Sequence, residues 1–300
     1  MSFSSGAKAE LCRDRCERKE LAVAESCGVL LYCHSFSARE IRVITASPDF
    51  AARLPRLFKR AFQLDFDVLP DAGAPGKRSL VIRDEKKLSR IFEAFGMERL
   101  GSLSHHINYS VLEEDAARAA FIRGAFLAGG SVTDPEKRYH LELATAHRSV
   151  SREAHSLLLE MGFSPRETER AGNALLYFKQ ADAIADFFTA IGAPTTALAV
   201  MTAKVDKEMR NTVTRQINCD TANADKTVAA AQEQLAAIRR IVKEYGTLDV
   251  LPEPLRDAAL LRVTNPEASL ADLAVLSVPP VTKSCLSHRL KKIMSLAPKE

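Results

Sequence analysis

FIRGAFLAGGSV, residues Phe121 to Val132, gathers Gly124, Ala125, Ala128, Gly129 and Gly130 into one short segment. It follows an acidic, helix-favouring run, Glu113 Glu114 Asp115 Ala116 Ala117. The combination predicts a helix over Asp115 to Ala128 that ends where another backbone must come close, since glycine there removes the Cβ that would keep the two apart.

The segment resembles the LAGLIDADG helix of homing endonucleases. In that family two such helices pack side by side, and each delivers a metal-binding carboxylate from its C-terminal end. With Gly124 set on the motif's first glycine, the carboxylate position falls on Gly129, which has no side chain to offer. A carboxylate at a helix C-terminus faces the negative end of the macrodipole and needs a cation to compensate it. A nuclease keeps it for Mg²⁺, a hard ion that takes oxygen ligands. A protein that only binds DNA has no use for it.

The order of elements in the first 194 residues repeats. The first copy, about 12–100, reads as a helical stretch around Glu17 to Ser26 and a short apolar stretch Val29 to Tyr32. A strand Ile41 to Thr45 and a helix Pro48 to Phe62 come next. A strand near Asp65 to Leu69, a Gly/Pro turn at Gly73 to Gly76, a strand Ser79 to Ile82 and a helix Glu85 to Phe95 complete it. The second copy, about 113–193, follows the motif helix with strands near Tyr139 to Thr145 and a helix Ser151 to Met161. Strands around Glu167 and Leu175 to Phe178 and a helix Ala181 to Ile191 close it. IRVITA against LELATA fixes one alignment, which sets Ala22 opposite Gly124 and Cys27 opposite Gly129. Cys27 and Gly129 are then the two degenerate catalytic positions, so no catalytic residue is expected. The expected fold class is α+β, a duplicated αββαββα saddle followed by an all-α domain. Alternating strands give each sheet one buried and one polar face. Arg39, Arg42, Arg78, Arg83, Lys137, Arg138 and Lys179, on or beside the polar face, are candidates for phosphate contacts.

After Gly192 Ala193 Pro194 the pattern turns all-helical. Residues 195–224 read as a linker and 225–300 as a helical DNA-binding domain. Val228, Ala231, Leu235, Ile238, Val242 and Tyr245, at steps of three and four, predict an amphipathic helix from Asn223 to Tyr245. A second helix runs from Leu251 to about Arg262. Ser269 with Asp272 three residues on is a capping signal for a short helix. Val278 Pro279 Pro280 breaks it, and Thr282 opens another.

Residues 269–294 thus read as a helix-turn-helix with a longer connection than usual, resembling region 4 of sigma factors. Leu286, Leu290 and Ile293 point inward, leaving Ser284, Ser287, His288 and Lys291 on the opposite face, the first three to read bases, with Lys283, Arg289 and Lys292 flanking that face for phosphates. Arg210, Asn211, Arg215, Gln216, Asn218 and Asn223 form an amide- and guanidinium-rich cluster that either fixes the linker or touches DNA.

Composition fits this reading without demanding it. The chain has 300 residues, 46% hydrophobic and 27% charged, enough for more than one cored domain. From Thr195 onward 15 Lys and Arg stand against 12 Asp and Glu, so most of the net charge of +4 lies in the C-terminal third. Neither a signal peptide nor a membrane-length apolar run is evident, and a cytoplasmic, nucleoid-associated protein is expected. The six cysteines contain no CxxC pair. Cys12 and Cys16, on one helix face with Cys33 and His34 nearby, are a conceivable metal set, but reduced thiols without metal or cofactor are the preferred reading.

MSFSS at the start, the two degenerate motifs, NTVTRQINCDTAN, NPEASLADL and a final SHRLKKI together resemble the WhiA family of Gram-positive bacteria over nearly the whole chain. The resemblance implies a sequence-specific, double-stranded-DNA-binding transcription regulator of sporulation, cell division or chromosome segregation, without nuclease activity. It also implies a second regulator or RNA polymerase as partner, and neither a membrane nor a small-molecule substrate. Two departures stand out: Cys285, where the family often has Gly at the head of the recognition helix, and Glu25, polar where the first motif helix is usually apolar, which is expected to loosen the helix pair. The alternative is an active endonuclease whose carboxylates lie elsewhere, with Asp115 and Asp134 nearest the second motif.

Overall fold

The computed structural model describes residues 2–15, 17–71, 76–97 and 104–298. The chain divides into two units, Met1–Glu208 and Met209–Glu300.

The first unit opens with a helix the sequence reading did not anticipate, α1 (Phe3–Leu11), capped by Ser2. The first repeat follows: α2 (Lys19–Tyr32), β1 (Ser35–Phe36), β2 (Ile41–Thr45), α3 (Pro48–Phe62), β3 (Arg78–Ile82) and α4 (Glu85–Ala94). The second comprises α5 (Asp115–Gly129), β4 (Gly130–Val132), β5 (Leu141–Thr145), α6 (Arg148–Glu160), β6 (Arg166–Arg170), β7 (Asn173–Phe178) and α7 (Ala181–Ile191). Both sheets are antiparallel, ordered β1-β2-β3 and β4-β5-β7-β6.

Two local outcomes differ from the expected pattern. Val29 to Tyr32 is the last turn of α2, because the motif helix continues through this apolar run. The segment near Asp65 to Leu69 makes only a bridge between Val68 and Val81. There Asp67 Oδ2 accepts from the backbone N–H groups of Arg83 and Asp84, tying the segment to the head of α4, and Pro70 has no N–H to extend a ladder. Most of the Gly/Pro turn, residues 73–75, lies outside the described residues.

α2 and α5 pack side by side at the centre. Both are buried almost all round, as helices in the middle of a core must be. Their seam is made by two glycines. A Cβ on Gly28 would strike the carbonyl oxygen of Phe121 and stand 2.9 Å from the nitrogen of Ala125. One on Gly124 would strike the carbonyl of Glu25 and stand 3.0 Å from the nitrogen of Val29. Gly28 sits on 121–125 as Gly124 sits on 25–29, so the seam pairs these two glycines.

Glu25, expected to loosen the helix pair, ties α2 to α3 and α5. Fully buried, its carboxylate accepts from Arg53 Nε (2.6 Å) and Nη2 (2.8 Å) on α3 and from Arg123 Nε (3.0 Å) on α5. Arg123 Nη1 also reaches Asp14 Oδ2 at 2.7 Å.

α8 (Pro194–Tyr245) begins at Pro194 and takes in the whole stretch expected as a linker. Its first turns bury Ala197, Val200 and Ala203 in the first unit's core, which is why that unit ends at Glu208.

In the second unit α8 is followed by α9 (Glu253–Thr264), α10 (Leu270–Leu276) and α11 (Lys283–Leu296). The buried stripe of α8 runs Ala231, Gln234, Ile238, Ile241, rotated from the expected one, and leaves Val228, Val242 and Tyr245 exposed. A glutamine takes a core position because Arg262, only 1% exposed, donates its Nε–H to Gln234 Oε1 at 2.9 Å. Its Nη1 reaches the Ala268 carbonyl at 2.7 Å, fixing the loop that leads into α10.

Candidate nucleic-acid interface

The helix ends come first. The seam sets Gly28 opposite Gly124, so the carboxylate position, five residues further on, is Gly129 in one copy and Cys33 in the other. Cys27 is thereby displaced from the role expected of it. It lies inside α2, fully buried, with its thiol pushed up to about 12 by burial. Cys33 is the C-cap of α2, and its Sγ–H lies 3.2 Å from the carbonyls of Leu30 and Ser35. At Gly129 there is no room for a side chain, because a Cβ would strike the carbonyl of Ala144 and stand 3.1 Å from the Tyr32 ring. Neither helix end carries a carboxylate.

What meets the negative ends of the helices is different in each copy. The Leu31 carbonyl of α2 accepts from Thr145 Oγ1 at 2.8 Å. The Leu127 carbonyl of α5 accepts from Lys8 Nζ at 3.0 Å, and that ammonium also lies over the Phe126 ring. Desolvation, partly offset by Cys12, lowers the Lys8 pKa to about 8. A cation from α1 thus complements the dipole of α5. Asp115 and Asp134 serve other ends. The first is exposed at the opposite end of α5, and the second organises a turn by accepting from the Glu136 N–H. Cys16 lies outside the described residues, among which no cluster of three His, Cys, Asp or Glu could hold a metal.

The outer face of each sheet is largely self-neutralised. Glu40 binds Arg42 (2.8 Å) and Arg83 (2.8 Å), and their hydrogen bonds, Arg42 first, hold its carboxyl at about 2. Glu142 accepts from Arg170 (2.9 Å) and His140 (3.2 Å), which outweigh desolvation and keep it below the ordinary glutamate range. Lys179 lies over the Tyr177 ring. Arg39, Lys137 and Arg138 are exposed with no ion pair among the described residues.

The helix-turn-helix elements form as read. Ser269 and Asp272 make a full capping box on α10. Val281 N–H bonds to the Ala274 carbonyl at 3.1 Å, closing the turn. Thr282 caps α11 by accepting from the Cys285 N–H. Cys285 takes ordinary helical geometry, outside the positive-φ residues. Leu286, Leu290 and Ile293 are buried, so Ser284, His288 and Lys291 stand on the exposed face with Lys292 at its edge and Ser287 half-buried. Lys283 is exposed in the first turn. Arg289, half-buried, lines a groove together with Glu253 and Asp257 of α9.

The amide and guanidinium cluster lies on one continuous helix rather than in a loop. Arg210, Asn211, Arg215, Gln216, Asn218 and Asn223 are all exposed on α8. Spacings of four and three put Asn211, Arg215 and Asn218 on one face, and Gln216 and Asn223 on the other.

The two units define a class: a LAGLIDADG-like saddle without carboxylates at its helix ends, in one chain with a helix-turn-helix. Residues 118–210 match the WhiA LAGLIDADG-like domain and residues 213–297 the WhiA C-terminal HTH domain. The probable cell division protein WhiA of Clostridium perfringens (strain 13 / Type A) is 35% identical over 309 residues, covering 99% of this chain and 98% of that protein. Its counterpart in Staphylococcus aureus (strain USA300) is 34% identical over 307 residues, covering 100% and 97%. The chain belongs to the WhiA family. Full-length DUF199/WhiA from Thermatoga maritima shares the fold, with TM-score 0.61 at 24% identity and 100% of both chains covered. Among the described residues no helix is long and apolar enough to cross a membrane.

Proposed function

We propose that this protein is a sequence-specific DNA-binding transcription regulator acting in cell division, chromosome segregation or sporulation, and that it does not cleave DNA. The observation that carries this reading is the exposed face of α11, where Ser284, His288 and Lys291 stand clear of the core on a helix capped at its head. Short hydrogen-bonding groups with cations beside them suit base edges and phosphates in a major groove. Lys283 and Lys292 add phosphate contacts; the cluster on α8 and the unpaired cations of the saddle add further, sequence-independent ones. The relatives named as cell division proteins supply the cellular context.

The absence of cleavage follows from side-chain chemistry. Gly129 and Cys33 offer no oxygen ligand for Mg²⁺ where the family of the fold places one. The test has two arms on the intact chain. Selection from random duplexes should return one consensus with wild type and a relaxed one with His288→Ala. Incubation of supercoiled plasmid with Mg²⁺ should leave it intact. A selection that yields no consensus, or robust nicking by the purified protein, refutes the corresponding half of the reading.

A further inference from the structure

A cavity of about 850 Å³ opens in the first unit between the end of α1, the chain that follows it and α3. α3 packs on the first sheet and buries Phe50, Leu54 and Phe58, so the cavity lies on the helical side, away from the outer face that carries Arg42. The DNA-binding reading makes no use of it.

Its wall is rich in guanidinium groups. Arg53, Arg56 and Arg60 of α3, at steps of three and four, line it together with Arg13 and Arg15. Stacking like charges on one helix face opposes helix formation, so a sequence that does so calls for compensation from elsewhere. Arg53 has it: Glu25 takes its Nε and Nη2, and the carbonyls of Cys12 and Asp14 accept from Nη1, which makes it a fixed floor. Arg60 donates to the Glu17 carbonyl. Among the described residues Arg13, Arg15 and Arg56 carry no ion pair. Of the acids at the wall, Asp14 is already bound to Arg123 at 2.7 Å, which leaves Glu17 and Asp49 against four arginines.

We infer that this cavity is a binding site for a small oligophosphate, held by Arg13, Arg15, Arg56 and Arg60. Planar guanidinium groups converging on one concavity match the oxygens of linked phosphates, each able to take paired hydrogen bonds. A duplex is too wide to enter a concavity of this size. The apolar part of the wall is small, Ala9, Ala52 and Leu57, so the phosphate chain and not an attached ring supplies the recognition.

Calorimetric titration of the full chain with inorganic triphosphate tests this. One equivalent should bind, and Arg13→Gln or Arg56→Gln, both at exposed positions, should each weaken it about tenfold or more while leaving the unliganded melting temperature unchanged. Asp49→Asn, which removes an acid from the wall, should tighten binding. The Lys291→Gln/Lys292→Gln double variant should bind as wild type does. Comparing ATP with triphosphate identifies the source: equal affinity means a bare phosphate chain, and tighter ATP binding means a nucleotide. The proposal fails if triphosphate does not bind, or if binding survives both arginine variants undiminished; loss in the lysine pair would then place the anion on the recognition helix.

Discussion

Replacing Gly124 by Ala tests the architecture at its narrowest point. In an open helix this change stabilises by about 1 kcal/mol, because glycine is the poorer helix former. Here the new methyl would meet the carbonyl of Glu25 and stand 3.0 Å from the Val29 nitrogen, both backbone atoms that cannot rotate away. The helices must separate, and overpacking of this kind costs about 1–3 kcal/mol, the upper end applying where backbone meets backbone. A net loss of about 2 kcal/mol is expected, or roughly 4–8 °C in Tm for a unit of this size. Gly28→Ala should behave alike, since its Cβ would strike Phe121. Gly6→Ala on α1 is the internal control: a Cβ there meets nothing within 4 Å, so the helix-propensity gain should appear undiminished. Urea denaturation of the three variants beside wild type measures all of this. Should Gly124→Ala and Gly28→Ala prove as stable as Gly6→Ala, the close helix crossing is refuted.

Glu25→Gln should cost about 3–5 kcal/mol, because Arg53 and Arg123 would lose the buried carboxylate they share, with only the exposed Asp14 left to Arg123; chemical denaturation reads this, and a change under 1 kcal/mol would contradict it. Lys8 has a folded pKa of about 8 against an ordinary 10.5, so between those values the unfolded chain binds more protons and stability should rise with pH by no more than about 1.4 kcal/mol per unit. Lys8→Met should flatten that rise. Desolvation, with His105 nearby, lowers His147 to about 4, so acidification from 6.5 towards 4 should cost stability, and less in His147→Asn. In the second unit, Ser284→Ala or His288→Ala should cost about 1–3 kcal/mol on the selected site and little on random DNA, whereas Lys291→Ala should weaken both equally and reduce the salt slope by about one. Arg262→Met should lower the second unit's melting temperature by stranding the Ala268 carbonyl and Gln234, a loss that unchanged melting would disprove.

Local chemistry made much of this fold readable in the sequence. Pro48 to Phe62, Ala181 to Ile191 and the Ser269/Asp272 box emerge where their patterns put them, because each combines a cap or stop with one clear period. Aligning the two motif helices on IRVITA and LELATA misplaced the first one: the first copy is four residues shorter between Gly28 and Ile41 than the second is between Gly124 and Leu141, and a run such as VLLY reads equally as strand or helix end. Only the seam, where Gly28 meets 121–125, fixes the register and transfers the degenerate position from Cys27 to Cys33. α8 was hidden for the reverse reason. Between Glu208 and Ala229 it is exposed on every side, so no apolar stripe marks it. Glu25 looked like a flaw because its partners, Arg53 and Arg123, are 28 and 98 residues away.

The attachments of α1 also bear on how the chain is made. Ser4 Oγ accepts from the Val132 N–H, Lys8 Nζ bonds to the Leu127 carbonyl, and Glu10 accepts from the Thr195 and Thr196 N–H groups at the head of α8. The last of these spans 185 residues. α1, synthesised before all of these partners, therefore finds its place only after a wait of roughly 10–40 s at about 5–20 residues per second. During that interval Ala7 and Leu11, destined for the core, face solvent or whatever holds a nascent chain, and closure of the first unit is a late event set by the arrival of the second repeat.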